Sequence, residues 1–358
     1  MPFGSVTKLS ARVLHGPNQW SRLPMVHLRV DLGALEASST ERIPGFTERL
    51  ISALPGLAEH GCSEGRPGGF ESRLRQGTWM GHVVEHMALE LQRAVGARTT
   101  RGKTRATGAP GVYDVVFAFE DEAVGRAAGD AALDLVNRLI EPRPDEAADR
   151  SSETVTAELQ ALADRGRLGM STQAIVDEAR RRYIPIRRLD DRNLVQLGWG
   201  VHARRIRATV TSRTSLIGAE IARDKNETSR LLELAAVPTP AWRVVSTPEA
   251  AIEAAHRVGM PVVIKPIDGN HGRGVTLDIA EDDAVADAFL RAAAASRRRQ
   301  VVVQRQVAGR DHRILVIGGR MVACAERLPA AVHGDGRRTV AALVSLANED
   351  PRRGVGHA

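Results

Sequence analysis

The sequence predicts an α/β (α+β) fold, a small amino-terminal domain followed by a second α/β region. Three observations carry this expectation. Short β-branched runs such as 112–119 (VYDVVFAF) alternate with stretches such as 79–95, whose apolar residues fall at helical spacing. The alternation continues through most of the 358 residues, the pattern of layered helices and sheets. A Pro-rich, charged stretch at 141–150 (EPRPDEAADR) interrupts it.

Taken in order, residues 25–32 (MVHLRVDL) alternate as a strand, and 46–57 carry a helical apolar pattern broken at Pro55. Residues 79–95 form a strongly amphipathic helix through Met80, Val83, Val84, Met87, Leu89 and Leu91. A strand at 112–119 and an alanine-rich helix at 122–140 complete a first domain over 1–145. Residues 146–165 read as a linker carrying a short helix from 154, and 166–222 as a lead-in. There Gly169-Met170-Ser171-Thr172 forms a capping loop for a helix over 173–182, with short strands and turns at 184–186 and 190–195. The second domain, 223–358, holds a helix at 224–236, a strand at 241–245, a helix capped at Thr247 and a strand at 262–264. A helix at 282–295, a strand at 300–304 and a strand pair at 313–317 and 320–327 follow.

Composition narrows the function. The 50 basic against 43 acidic residues give a net charge of +7, which suits acidic ligands. The basic residues are dispersed and aromatics make up only 3%, so no nucleic-acid partner is expected. No apolar run approaches a membrane span and residues 1–19 lack a signal-type apolar core, so the expectation is a cytoplasmic protein with no membrane partner. Cys62 and Cys324 lie too far apart in sequence for a paired metal or redox motif and read as incidental thiols. Only four of the basic residues are lysines: Lys8, Lys103, Lys225 and Lys265. In so arginine-rich a chain, a retained lysine suggests a need for a compact, rotatable charge.

Two stretches carry chemistry. On the helix at 79–95, His82 and His86 stand at i and i+4 and share one face, so both imidazoles can address one Zn²⁺. Glu85 precedes His86 as in the inverted H-x-x-E-H zinc peptidase motif, where it would activate a bound water. Glu90 is about 12 Å along the helix axis from His82, too far to share the ion. Glu122 is therefore the candidate third ligand. A polar helix face bearing two histidines by chance is the plain alternative.

The second stretch runs from Pro261 to Val275. A buried strand delivers Lys265, Pro266 ends it, and Gly269, Gly272 and Gly274 allow a turn whose N–H groups can approach an anion. Lys225 opens a helix some forty residues earlier, and two separated lysines suit a phosphate clamp between lobes. No G-x-x-x-x-G-K-[ST] is present, so a Walker-type loop is excluded. Gln304 to Val307 could read an adenine edge, Asp311 accept from ribose hydroxyls, and Arg313 stabilise phosphoryl or carboxylate charge.

Gly198-Trp199-Gly200, Arg204-Arg205-Ile206, Thr209 to Ser215, Asp224-Lys225, Lys265-Pro266, the loop from Asp268 to Gly274 and Gly309-Arg-Asp-His-Arg313 together resemble the cyanophycin synthetase family. So does the tail from Asp350 to His357, and the resemblance reaches back to 77–91. It implies an amino-terminal domain followed by the first part of an ATP-grasp fold. The implied activity is ATP-dependent growth of a poly-aspartate chain bearing arginine side chains. A terminal carboxylate is phosphorylated, and the amine of aspartate attacks the acyl phosphate. Lys225 and Lys265 would hold phosphates, while His271 and the glycine loop would close over them. Gln304 to Val307 would bind adenine, Asp311 ribose, and Arg313 with Ser171 the reaction centre. Glutamine stands at 304 where ATP-grasp proteins usually have glutamate, and keeps a hydrogen-bonding group there. In some members the first domain cuts the polymer with zinc, and His82, Glu85 and His86 match that motif.

The late Asp/Glu and Glu-x-Asn motif for Mg²⁺ and the Mur-ligase-like domain do not occur before Ala358. The expectation is thus a truncated ligase that needs ATP and Mg²⁺ with ligands beyond this chain, and that ligates little by itself. A zinc hydrolase of the Asp/Arg polymer and a non-catalytic polymer-binding fragment are the alternatives. Aspartate and a polymer or peptide primer are the expected partners, in a homo-oligomer.

Overall fold

A computed structural model describes residues 3–142, 151–268 and 272–350. The chain divides into two units, Met1–Thr214 and Ser215–Ala358.

In the first unit β1 (Thr7–Leu14), β2 (Met25–Asp31), β3 (Gly102–Ala106) and β4 (Val112–Ala118) form a sheet of order β1-β2-β4-β3. All its pairings are antiparallel. Around it lie α1 (Phe46–Ala53), α2 (Gly69–Gln76), α3 (Met80–Ala94) and α4 (Glu122–Ile140). The α4 cap is Asp121, whose side chain accepts from the Val124 N–H. Helix α3 is the centre of this unit: every residue from Met80 to Gln92 except His82 is buried. Gly81 lets its backbone lie against β3 and β4, since a Cβ there would meet Thr104 at 3.2 Å and Val115 at 3.5 Å. A helix buried on so many sides must find partners for every polar side chain it carries. Gln92 meets this in part: its amide nitrogen donates to the Ala88 and Ala118 carbonyls at 3.1 Å each, while among the described residues its buried Oε1 has no hydrogen-bond partner.

The short helix expected from 154 is α5 (Ser152–Gly166), which contributes Val155 and Leu159 to the same hydrophobic core as α3 and α4. Apolar residues at helical spacing gave that segment something to bury; residues 143–150 lie outside the described residues. The expected capping loop is also shorter than read. Gly169 is the cap and α6 runs Met170–Arg181, so Ser171 is an exposed first-turn residue and Thr172 is buried. A small antiparallel sheet follows, order β5-β6-β7-β8: β5 (Ile186–Arg188), β6 (Leu194–Leu197), β7 (Arg204–Arg207) and β8 (Val210–Thr211). Val176, Val195 and Ile206 form its core with α6.

The second unit opens with α7 (Leu216–Arg223) and α8 (Lys225–Leu234). Then come β9 (Trp242–Val245), α9 (Pro248–Val258), β10 (Val262–Pro266), β11 (Thr276–Ile279), α10 (Asp282–Ala295) and β12 (Val301–Arg305). The sheet order is β11-β10-β12-β9, antiparallel throughout, and α9 and α10 pack on its buried face. The hairpin β13 (His312–Ile317) and β14 (Arg320–Glu326) is exposed along its length, as is much of α11 (Val340–Asn348). Among the described residues no helix is long and apolar enough to cross a membrane.

Candidate functional site

The most closely built cluster of polar side chains lies on α3 and the chain just before it. His82 and His86 share a face, one turn apart, with ring centroids 4.8 Å apart and planes at 87°. Phe70 of α2 is fully buried and stacks on His86 at 3.9 Å, meeting His82 edge-on at 5.6 Å. His82 Nδ1 lies 2.9 Å from Thr78 Oγ1, and its Nε2 lies 3.5 Å from Cys62 Sγ. His86 Nδ1 lies 2.8 Å from His60 Nδ1, while His60 Nε2 lies 2.7 Å from Glu90 Oε2.

Burial sets the charge state of the pair. It drives the His82 pKa down to about 4, with the Arg73 charge adding to the effect. For His86 burial dominates again, with His82 and His60 adding, and the pKa falls to about 2. Both imidazoles are therefore neutral at physiological pH, the form in which histidine binds metals. Donor atoms of Cys62, His82 and His86 lie within 4.8 Å of one another. Roughly 3.3–3.8 Å is needed across a tetrahedral zinc site with bonds of about 2.0–2.3 Å, so a contraction of about 1 Å would close the set. Two imidazoles and a thiol with a fourth position open fit zinc better than a harder cation.

Glu122 is not brought to this cluster. It stands at the start of α4, where its carboxylate accepts from Arg126 at 2.9 Å and lies 3.5 Å from His15. Cys62 takes the third position instead, although sequence spacing gave it no role. Glu85 is on α3 as expected and is buried, accepting a 2.6 Å hydrogen bond from Thr104 Oγ1. Burial lifts its pKa to about 7, with Thr104 and Arg105 opposing. A Cβ at Gly102 would sit 2.4 Å from Glu85 Oε1 and 2.7 Å from its Cγ, so that glycine is a notch for the carboxylate.

In the second unit the period-two pattern of β10 buries Val262, Ile264 and Pro266 and turns Lys265 to the other face. Lys265 Nζ donates to Gln304 Oε1 at 2.7 Å, across the paired strand β12. Among the described residues no ion pair involves Lys265. Lys225 Nζ donates to the Pro266 carbonyl at 3.1 Å, one residue further on. The Lys265 pKa is lowered by burial and then by Lys225; that of Lys225 is lowered by burial, with Asp268 opposing. Two neighbouring ammonium groups, Lys265 on a neutral amide and Lys225 on a carbonyl with Asp268 near it, are a chemistry that can address phosphate oxygens.

Gly272 and Gly274 both have positive φ, +71° and +69°. A Cβ at Gly274 would also meet the Ala295 Cβ at 2.8 Å, so this glycine serves packing on α10 as well as the turn. Gly269 and His271 lie outside the described residues. Val307 is 66% exposed, Asp311 faces Arg327 at 3.5 Å, and Arg313 is exposed on β13. Ser171 belongs to the first unit and Arg313 to the second.

Residues 27–141 match the cyanophycin synthase-like N-terminal domain, and residues 231–347 match the ATP-grasp domain of prokaryotic glutathione synthetase. The cyanophycin synthetase of Synechocystis sp. is 45% identical over 98% of this chain and 40% of its own length. That of Nostoc sp. is 45% identical over 98% of this chain and 39% of its own length. A solved bifunctional glutathione synthetase from Pasteurella multocida aligns with 91% of this chain and 63% of its own at 16% identity, with a TM-score of 0.37. The chain spans about two fifths of the length of the curated relatives it matches. An N-terminal domain and an ATP-grasp domain thus follow one another in a chain that is similar, over nearly its whole length, to part of the cyanophycin synthetases.

Proposed function

We propose that this chain supplies the nucleotide-binding part of an ATP-dependent carboxylate–amine ligase of the cyanophycin synthetase type. The observation that supports this most directly is Lys265, half-buried beside Lys225 and bonded to the neutral Gln304. An arriving phosphate would relieve the repulsion between the two ammonium groups and offset their desolvation. Bound ATP with Mg²⁺ would supply the phosphoryl group that activates the terminal carboxylate of an Asp/Arg polymer. Lys225 and Lys265 would hold phosphate oxygens, and Gly269, Gly272, Gly274 and His271 would act with them on the phosphates. Gln304 to Val307 would line the adenine and Asp311 the ribose. Arg313 would orient the polymer end and the aspartate whose amine displaces phosphate. Thermal unfolding of the full chain with millimolar Mg-ATP tests this. Wild type should melt higher and Lys265→Ala should not respond; a wild-type chain that gains nothing rules the reading out.

A second reading is favoured by the Cys62–His82–His86 cluster: a zinc-dependent hydrolase of the same polymer in the first unit. Bound zinc would bring the pKa of a water near neutrality. Glu85, one residue before His86, would accept a proton from that water and return it to the leaving amine. Metal content after purification and cleavage of an Asp/Arg polymer test it. Glu85→Gln should keep zinc and lose cleavage, whereas a chain that binds no zinc would end this reading.

A further inference from the structure

Resting on the zinc reading above, we propose that Glu90 and His60 are positioning residues. They hold His86 as the Nδ1–H tautomer and so present its bare Nε2 to the metal. The chain of contacts is Glu90 Oε2 to His60 Nε2 at 2.7 Å, then His60 Nδ1 to His86 Nδ1 at 2.8 Å. An ionised carboxylate can only accept, so His60 carries its proton on Nε2 and offers a lone pair at Nδ1. His86 must then donate from Nδ1, which leaves Nε2 with the lone pair. Among the described residues no hydrogen bond involves His86 Nε2. The opposite assignment, a donor at each end of the His60–His86 contact, would place two N–H groups head to head at 2.8 Å.

Three features show that this chain is built. His60 and His86 are each 7% exposed and Glu90 9%, so little bulk water competes for their nitrogens and oxygens. Phe70 stacked on His86 fixes the ring plane. Gly56 is a notch for the carboxylate, because a Cβ there would fall 1.8 Å from Glu90 Oε1 and 2.6 Å from Cδ. His82 has a parallel arrangement. Thr40 Oγ1 donates to the Leu74 carbonyl and accepts from the Thr78 N–H, and Thr78 Oγ1 in turn meets His82 Nδ1. Glu90, too far along α3 to bind the ion shared by His82 and His86, acts through a second histidine instead.

The test combines zinc affinity by chelator competition with ¹⁵N spectra of the metal-free full chain, which read each histidine's tautomer. Wild type should show His86 protonated on Nδ1 and bind zinc. Glu90→Ala and Gly56→Ala, which removes the carboxylate's seat while keeping it, should each weaken zinc by about 10–100-fold. Both should also raise the Nε2–H form of His86. Glu90→Gln should retain most of the affinity, since its amide oxygen can still accept from His60. The Co²⁺–thiolate absorption of Cys62 checks that the variants keep an intact site. If wild type binds zinc while Glu90→Ala matches it in affinity and tautomer, the positioning role is refuted and the metal site stands. If wild type binds no zinc, the metal site fails, and the tautomers of the metal-free chain still decide whether Glu90 governs His86.

Discussion

Replacing Glu85 by glutamine should stabilise the metal-free protein, and increasingly so as pH rises. The folded-state pKa is raised from 4.5 to about 7, because burial penalises the carboxylate more than Thr104 and Arg105 support it. A raised acid binds its proton more tightly when folded, so its contribution to stability is complete below pH 4.5. It fades as pH climbs through about 7. Between about pH 5 and pH 8 the wild type should therefore lose about 2.5 kcal/mol through this one group. The substituted glutamine keeps the shape against Gly102 and can still accept from Thr104, and it does not titrate. The difference in unfolding free energy between Glu85→Gln and wild type should grow by about 2.5 kcal/mol over that pH range, or roughly 5–10 °C in Tm. Urea unfolding of the full chain with chelator present measures it. Tryptophan fluorescence suits the purpose, because Trp20, Trp79 and Trp199 lie in the first unit and only Trp242 in the second. The titrations of His82 and His86 cancel in the difference. A difference that stays flat between the two pH values would refute the assignment of Glu85 as a carboxyl held near neutrality by burial.

Other consequences are sharper in direction than in size. Phe70→Ala removes a fully buried ring stacked on His86 and should cost about 3–5 kcal/mol, seen in the same urea titration. Gly274→Ala must adopt φ near +69° against Ala295 and should lower stability by at least about 1–2 kcal/mol from the backbone alone, measured by calorimetry. If the second unit holds nucleotide, ligand at about a hundred times Kd should add about 2.7 kcal/mol to wild type, and Lys265→Ala should forfeit nearly all of it.

Periodicity carried most of what was legible. The helices expected over 122–140 and 282–295 are α4 and α10 end for end, because both have an acidic start and an unbroken apolar stripe. Strand β1 escaped notice because nearly all of it is exposed, so no one-sided apolar alternation marks it. Strand β3 (GKTRA) is short and polar, yet it supplies both Gly102 and Thr104 to Glu85. His82, Glu85 and His86 could be read from spacing, since one helix face places the histidines. Cys62 could not, as it was weighed only against another cysteine rather than against the histidines some twenty residues away. The His60-x-Cys62 pair ahead of the H-x-x-E-H run was the available signal. Spacing along one helix, which sets Glu90 aside as a direct ligand, says nothing of a residue such as His60 that bridges from another segment.

Both candidate sites share a physical logic that links burial to ligand choice. On α3 burial strips protons from His82 and His86, which removes the competitor that a metal would otherwise have to displace. On β10 burial works against the charge of Lys265, yet the neighbouring partner is an amide rather than a carboxylate, so among the described residues no carboxylate pairs with it. A carboxylate at position 304 would stabilise the ligand-free protein by pairing with Lys265, and it would also compete with an arriving phosphate. Gln304→Glu should therefore raise the stability of the ligand-free chain and weaken nucleotide protection together, because one new ion pair would act on both. Equilibrium unfolding with and without Mg-ATP separates the two effects. If Gln304→Glu strengthens nucleotide protection, position 304 acts by contacting the base, and the view that Lys265 is held ready for phosphate by a neutral partner is wrong.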